Sequence, residues 1–182
     1  CPTTACFNLL DTDPYFKLGR KIAFFGDGHQ FRDRRYDRRV WVVPIMGGEF
    51  VCDRRWGFRD GIMGGNLWFL GRSVDAALAA AERGVEAVQQ TPGSVMCFPG
   101  GVAGSASKAG SRYKFLIAST YAEFCPTLRA KLGDQSRVPA DVESIMEIVI
   151  NGRDLPAVAA ATHAAIAAAE TTPGLVRITA GN

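Results

Sequence analysis

Residues 71–100 read GRSVDAALAAAERGVEAVQQTPGSVMCFPG, and residues 152–181 read GRDLPAVAAATHAAIAAAETTPGLVRITAG. At an offset of 81 residues the two stretches align without a gap. Ala76, Ala79 and Ala80 fall on Ala157, Ala160 and Ala161, and Thr91-Pro92-Gly93 falls on Thr172-Pro173-Gly174. Alanine-rich helices match one another easily. The Gly-Arg start, the Thr-Pro-Gly stop and the matched pair Val95 and Val176 lie outside that bias, so the repeat is a structural unit.

Each copy opens on a short apolar run bounded by glycine, Leu67-Trp68-Phe69-Leu70 or Ile148-Val149-Ile150, which reads as a buried strand. Ser73 and Asp154 are N-cap residues before the alanine stretch, and Pro156 sits in a first helical turn, where it is tolerated. Thr-Pro-Gly then ends a helix of about four turns. A second strand follows, Val95-Met96-Cys97-Phe98 or Val176-Arg177-Ile178-Thr179. Two β-α-β units predict an α+β fold, a ferredoxin-like split β-α-β sandwich with both helices on one face of an antiparallel sheet. The strands are expected near 66–71, 94–99, 144–151 and 175–180, and the helices near 74–90 and 154–171.

Composition bounds the function. A chain of 182 residues with 47% hydrophobic residues can fill a substantial core. No stretch is apolar enough to span a membrane, and no signal-peptide pattern is present. Five cysteines in no regular spacing predict reduced thiols and a cytoplasmic location. Two histidines and no C-x-x-C argue against a metal site. A net charge of +3 is too small to argue for nucleic acid. Residues 1–50 contain no complete copy of the repeat, only strand-like pieces such as Ile22–Phe25 and Val40–Val43. Together with a first residue that is Cys rather than Met, this suggests a segment of a longer polypeptide.

Chemistry in a duplicated scaffold is sought where the copies differ. Glu147 is the repeat partner of Asn66 and lies in Ile145-Met146-Glu147-Ile148-Val149-Ile150, a strand apolar on both alternating faces. Desolvation there favours the neutral carboxyl, a group able to give and take a proton. The bland alternative is an edge position facing water or a structural hydrogen bond. The second difference follows the first copy, where Pro99-Gly100-Gly101 leads into a stretch holding Ser105, Ser107, Lys108 and Ser111. Exposed backbone N–H groups, hydroxyls and positive charge suit a polar or anionic ligand, and a flexible connector is the competing reading. Cys97 and Cys125 read as buried structural thiols, and His163 as a surface or packing residue. The arginine-rich stretches 31–39 and 53–59 read as solvated loops or subunit contacts, with an anion-binding rim as the alternative.

Several ordered motifs carry a resemblance over nearly the whole chain. They are Pro2-Thr3-Thr4-Ala5, Phe24-Phe25-Gly26-Asp27-Gly28, Val43-Pro44-Ile45-Met46, Gly64-Gly65-Asn66 and Phe98-Pro99-Gly100-Gly101, then Tyr113-Lys114-Phe115-Leu116 and Glu123-Phe124-Cys125-Pro126. Val138-Pro139-Ala140-Asp141-Val142, Glu147-Ile148-Val149-Ile150-Asn151-Gly152 and Ile178-Thr179-Ala180-Gly181-Asn182 complete the set. The chain resembles the formylmethanofuran–tetrahydromethanopterin formyltransferase family. That resemblance implies a two-lobed parent in which residues 1–50 end the first, proximal lobe and 51–182 form most of the second, distal lobe. It implies reversible formyl transfer between methanofuran and N5 of tetrahydromethanopterin, the two carriers of one-carbon metabolism in methanogenesis and methylotrophy, with no tightly bound cofactor. It also implies a homo-oligomer (dimer or tetramer), with other subunits of a formyltransferase/hydrolase complex as further partners. Glu147 matches the family's acid–base glutamate; Asn66, Pro99, Gly100, Gly101, Ser105, Ser107, Lys108 and Ser111 are the candidate substrate-binding residues. The alternative is a non-catalytic pterin-binding or scaffold subunit of such a complex.

Overall fold

A computed structural model describes residues 5–104 and 106–181. Helix and strand each account for 32% of the described residues. Two compact units divide it, Cys1–Asp60 and Gly61–Asn182. The division falls ten residues beyond the expected boundary because a strand runs straight through Phe50.

In the first unit, helix α1 (Leu18–Ala23) precedes strands β1 (Phe31–Arg35), β2 (Arg38–Ile45) and β3 (Gly48–Asp53). The strands form an antiparallel sheet in chain order. Tyr36 and Asp37 both adopt positive φ, 55° and 57°, at the β1–β2 turn, matching the twist of a tight hairpin. The arginine stretch 31–39 is therefore mostly strand rather than loop. Ala23, Val43, Phe50 and Cys52 form one core of this unit, with Trp41 and Trp56 packed against it. Ile22–Phe25 is helical, not a strand: Ala23 closes α1, and Phe24–Gly26 adds a tight 3-10 turn. A four-residue apolar run fits either state, and the burial of Ala23 beneath β2 and β3 decides for helix.

The second unit carries the repeat. Its first copy comprises β4 (Ile62–Gly71), α2 (Val74–Gln89) and β5 (Ser94–Met96). Between the copies lie β6 (Val102–Ala103), β7 (Ser107–Ala109), β8 (Ala118–Thr120) and the single-turn α3 (Arg129–Leu132). The second copy is β9 (Ser144–Gly152), α4 (Leu155–Ala169) and β10 (Leu175–Thr179). The main sheet is ordered β10-β4-β9-β5, with β6 also against β9 and every pairing antiparallel. Each copy thus hands its second strand to the other's first strand. β7 and β8 form a separate hairpin.

The repeat is visible atom by atom. The Ser73 side chain accepts from Ala76 N at 3.1 Å, and the Asp154 side chain accepts from Ala157 N at 2.9 Å. Arg72 N donates to Gly174 O at 2.9 Å, and Arg153 N donates to Gly93 O at 2.8 Å. Both helices pack on one face of the sheet, where Leu67, Phe69, Ile148 and Ile150 meet Ala80, Ala81, Ala161 and Ala165. Alanine brings the helix backbones close to the sheet and to one another. β5 stops at Met96, short of the expected Pro99. Pro99 has no N–H for the ladder, and Gly100 and Gly101 turn the chain at φ 69° and 78°. Cys97 is consequently exposed rather than buried.

Candidate functional site

The sheet face away from the helices holds Trp68, Leu70, Val138 and Val142 as a second core. Glu147 lies on β9 directly opposite Trp68 of β4, and its side chain is on this same face. Residues two apart on a strand share a face, so Asn66 joins them. Asn66 Nδ2 and Trp68 Nε1 each donate to Glu147 Oε1 at 2.9 Å. Glu147 is 8% exposed. Among the described residues no cation pairs with it. With both N–H groups directed at Oε1, a proton taken up by this carboxyl belongs on Oε2.

The donors are themselves held. Gly181 N donates to Asn66 Oδ1 at 3.0 Å, which orients the amide so that its NH₂ faces Glu147. A side chain at Gly181 would strike Asn66 Nδ2 and Trp68 Cε2 at 2.5 Å, so only glycine lies flat on this pair. The Trp68 ring is 1% exposed and meets Phe124 and Tyr121 edge to face, at 4.7 and 5.3 Å between centroids. Beside it a cavity of about 230 Å³ is lined by Trp68, Gly104, Tyr121, Phe124, Cys125 and Ile145 among others.

Of the residues singled out in the sequence, the structure brings Asn66 to Glu147. Pro99, Gly100 and Gly101 form a turn leading into β6, whose Ala103 is paired with Glu147. Gly101, however, packs toward Val85 and Met96 on the helix side, away from the carboxylate. A separate cavity of about 300 Å³ opens there, lined by Gly100, Gly101, Phe98, Met96, Ser94 and Val88 among others. Ser107 and Lys108 are exposed on the β7–β8 hairpin, and Ser111 Oγ accepts from Tyr113 N within its loop. Ser105 lies outside the described residues. Trp68 escaped the sequence reading because it sat inside an apolar run. Its signal was its place two residues after Asn66, since a buried indole N–H requires an acceptor.

Cys125 is half-buried, its Sγ 3.5 Å from Thr120 Oγ1 and from Tyr121 O. Burial pushes the Cys52 thiol up to about 11, which keeps it protonated near neutrality and unsuited to nucleophilic work. His163 is exposed on α4. Among the described residues no cluster of three His, Cys, Asp or Glu is placed to hold a metal ion, and no helix is long and apolar enough to cross a membrane.

The family model described as "FTR, proximal lobe" matches residues 48–182, and that for formylmethanofuran-tetrahydromethanopterin formyltransferase matches residues 1–45. The chain belongs to the formylmethanofuran–tetrahydromethanopterin formyltransferase family. In this family's description the word proximal attaches to residues 48–182, whereas the sequence reading had given it to residues 1–50. The formyltransferase of Methanosarcina acetivorans is 46% identical over the whole chain, and that of Methanocaldococcus jannaschii 42%. The chain spans 61% and 62% of those two relatives' lengths. The solved formyltransferase from Methanosarcina barkeri superposes with a TM-score of 0.69 at 40% identity, over 94% of this chain and 58% of that one. The formyltransferase/hydrolase complex from Methylorubrum extorquens, solved with methylofuran, gives 0.67 at 41% identity over 95% and 58%.

Proposed function

We propose that these residues carry the proton-transfer centre of an enzyme moving a formyl group between formylmethanofuran and N5 of tetrahydromethanopterin. The observation that carries the reading is the buried Glu147 carboxyl, pinned at one oxygen by Asn66 and Trp68, in a chain of this family. The N5 amine attacks the formamide carbon, forming a C–N bond and a tetrahedral intermediate. Its proton passes to Glu147 Oε2. The same proton then goes to the departing methanofuran nitrogen as that C–N bond breaks, and the carboxylate is restored. One carboxyl serving both nitrogens contributes about 10²–10⁴-fold. An amide NH₂ has two hydrogens, so Asn66 can hold Glu147 with one and offer the other to the developing oxyanion.

The two carriers act here as co-substrates. The strand order β10-β4-β9-β5 supports a ferredoxin-like split β-α-β fold for Gly61–Asn182. The likeness to the Methylorubrum complex supports an assembly with further subunits.

The test is Glu147→Gln in the natural polypeptide carrying this sequence. It keeps volume and the acceptor at Oε1 while removing proton transfer. We expect kcat to fall at least about 10²-fold with little change in KM. Normal turnover by Glu147→Gln would take the carboxyl out of the proton-transfer role, whereas absence of turnover in the parent itself would favour the non-catalytic scaffold.

A further inference from the structure

The arginines of the first unit are not absorbed by formyl transfer. Beside the β1–β2 turn Arg35 is satisfied: its Nε reaches Asp33 Oδ2 at 2.8 Å and its Nη1 reaches Glu49 Oε2 at 2.6 Å. Its cross-strand partner Arg38 instead belongs to a cavity of about 310 Å³, lined by Asn8, Arg38, Arg39, Asp53, Arg54 and Arg55. Four arginines and one aspartate line it, and that carboxylate is already used. Asp53, with a side chain 8% exposed, accepts from Arg38 Nη1 at 2.7 Å and from Asn8 N at 2.6 Å. Asn8 is itself locked, its carbonyl accepting from Arg38 Nη1 at 3.0 Å and its Oδ1 from Gly57 N at 2.9 Å.

Among the described residues no carboxylate pairs with Arg39, Arg54 or Arg55. Arg54 N donates to Arg39 O at 3.1 Å, tying the two backbones together. The Arg55 guanidinium stacks 4.3 Å from the Tyr15 ring centroid, a contact that fixes the plane while leaving the edge N–H groups free to donate. Three arginines without a carboxylate partner lining a preformed concavity can supply donors for anionic oxygen, since the planar fork matches carboxylate and phosphate alike. We propose that this cavity binds a small polyanion presenting at least two neighbouring negative charges, as carboxylates or as phosphates.

The test is calorimetric titration of the natural polypeptide carrying this sequence with two probes, pyrophosphate and triglutamate, at low ionic strength. Comparison is with Arg39→Gln/Arg54→Gln, with Arg55→Gln, and with the control Arg83→Gln/Arg137→Gln, which removes two charges that do not line the cavity. Thermal melting checks that each variant folds. We expect at least one probe to bind. The cavity double variant should weaken it at least about tenfold, the control less than about twofold, and added salt should weaken it further. Binding of pyrophosphate alone assigns the site to phosphate, and of triglutamate alone to carboxylate. Absence of binding by both, or equal weakening in the control, overturns the proposal. Binding is read without turnover, so the result stands apart from the role of Glu147.

Discussion

Glu147 Oε1 takes two donors of different kinds, an amide oriented by Gly181 N and an indole locked by aromatic edges. Trp68→Phe separates them, removing one N–H while keeping a ring in place. We expect kcat to fall about tenfold, the rate equivalent of one hydrogen bond to a charged group, with KM changed less than about twofold. A raised KM with unchanged kcat would make Trp68 a wall of the binding cavity rather than a positioning residue for the carboxyl. At this scale the sequence disclosed half of the pairing. The offset of 81 placed Asn66 and Glu147 at equal depth in paired strands, because side-chain direction on a strand follows position alone. Trp68 and Gly181 were hidden because a hydrophobic residue and a glycine advertise no partner until the strands are in register.

The helices were legible at both ends because their punctuation is chemical. Ser73 and Asp154 cap equivalent positions, yet only the second is titratable. The Arg153 guanidinium, and then the Ala157 N–H, hold the Asp154 carboxyl below the usual carboxylate range. A lowered native value contributes stability that is complete above the unfolded value and fades as pH falls through the native one. Ser73→Ala should therefore cost about 1 kcal/mol at every pH. Asp154→Ala should destabilise near neutrality and converge on the parent in acid. Urea melts at pH 7 and pH 3 measure both. A pH-independent loss for Asp154→Ala would show that its carboxyl charge is irrelevant to the cap. The strands were less legible. β5 ends early through backbone chemistry at Pro99-Gly100-Gly101, and Ile22–Phe25 took helix because packing settled what four apolar residues leave open.

Across the second unit the two copies interleave, so neither has a complete sheet without the other. The seams are the turns after each helix, where Gly93 and Gly174 sit at φ 82° and 81° and accept from Arg153 and Arg72. The gapless repeat announced this reciprocity, since Thr-Pro-Gly recurs at the same distance from each helix start. It could not announce where the symmetry is imperfect. A methyl at Gly93 would lie 3.4 Å from Ala157 Cβ, an ordinary contact, whereas one at Gly174 would lie 2.8 Å from Ala76 Cβ. Both Gly→Ala changes carry the left-handed backbone penalty of about 1–2 kcal/mol. Only Gly174→Ala adds a collision between the copies, so it should lower the stability of the unit more than Gly93→Ala does. Ala76→Gly removes the obstructing methyl at a helix cost of about 1 kcal/mol. Introduced together with Gly174→Ala, it should destabilise less than the two single losses combined. Urea unfolding of the four proteins yields that coupling. Equal losses at the two glycines, or strict additivity of Ala76→Gly with Gly174→Ala, would mean the seam relaxes freely, and the tight packing between the copies would then have no hold on the stability of the sheet.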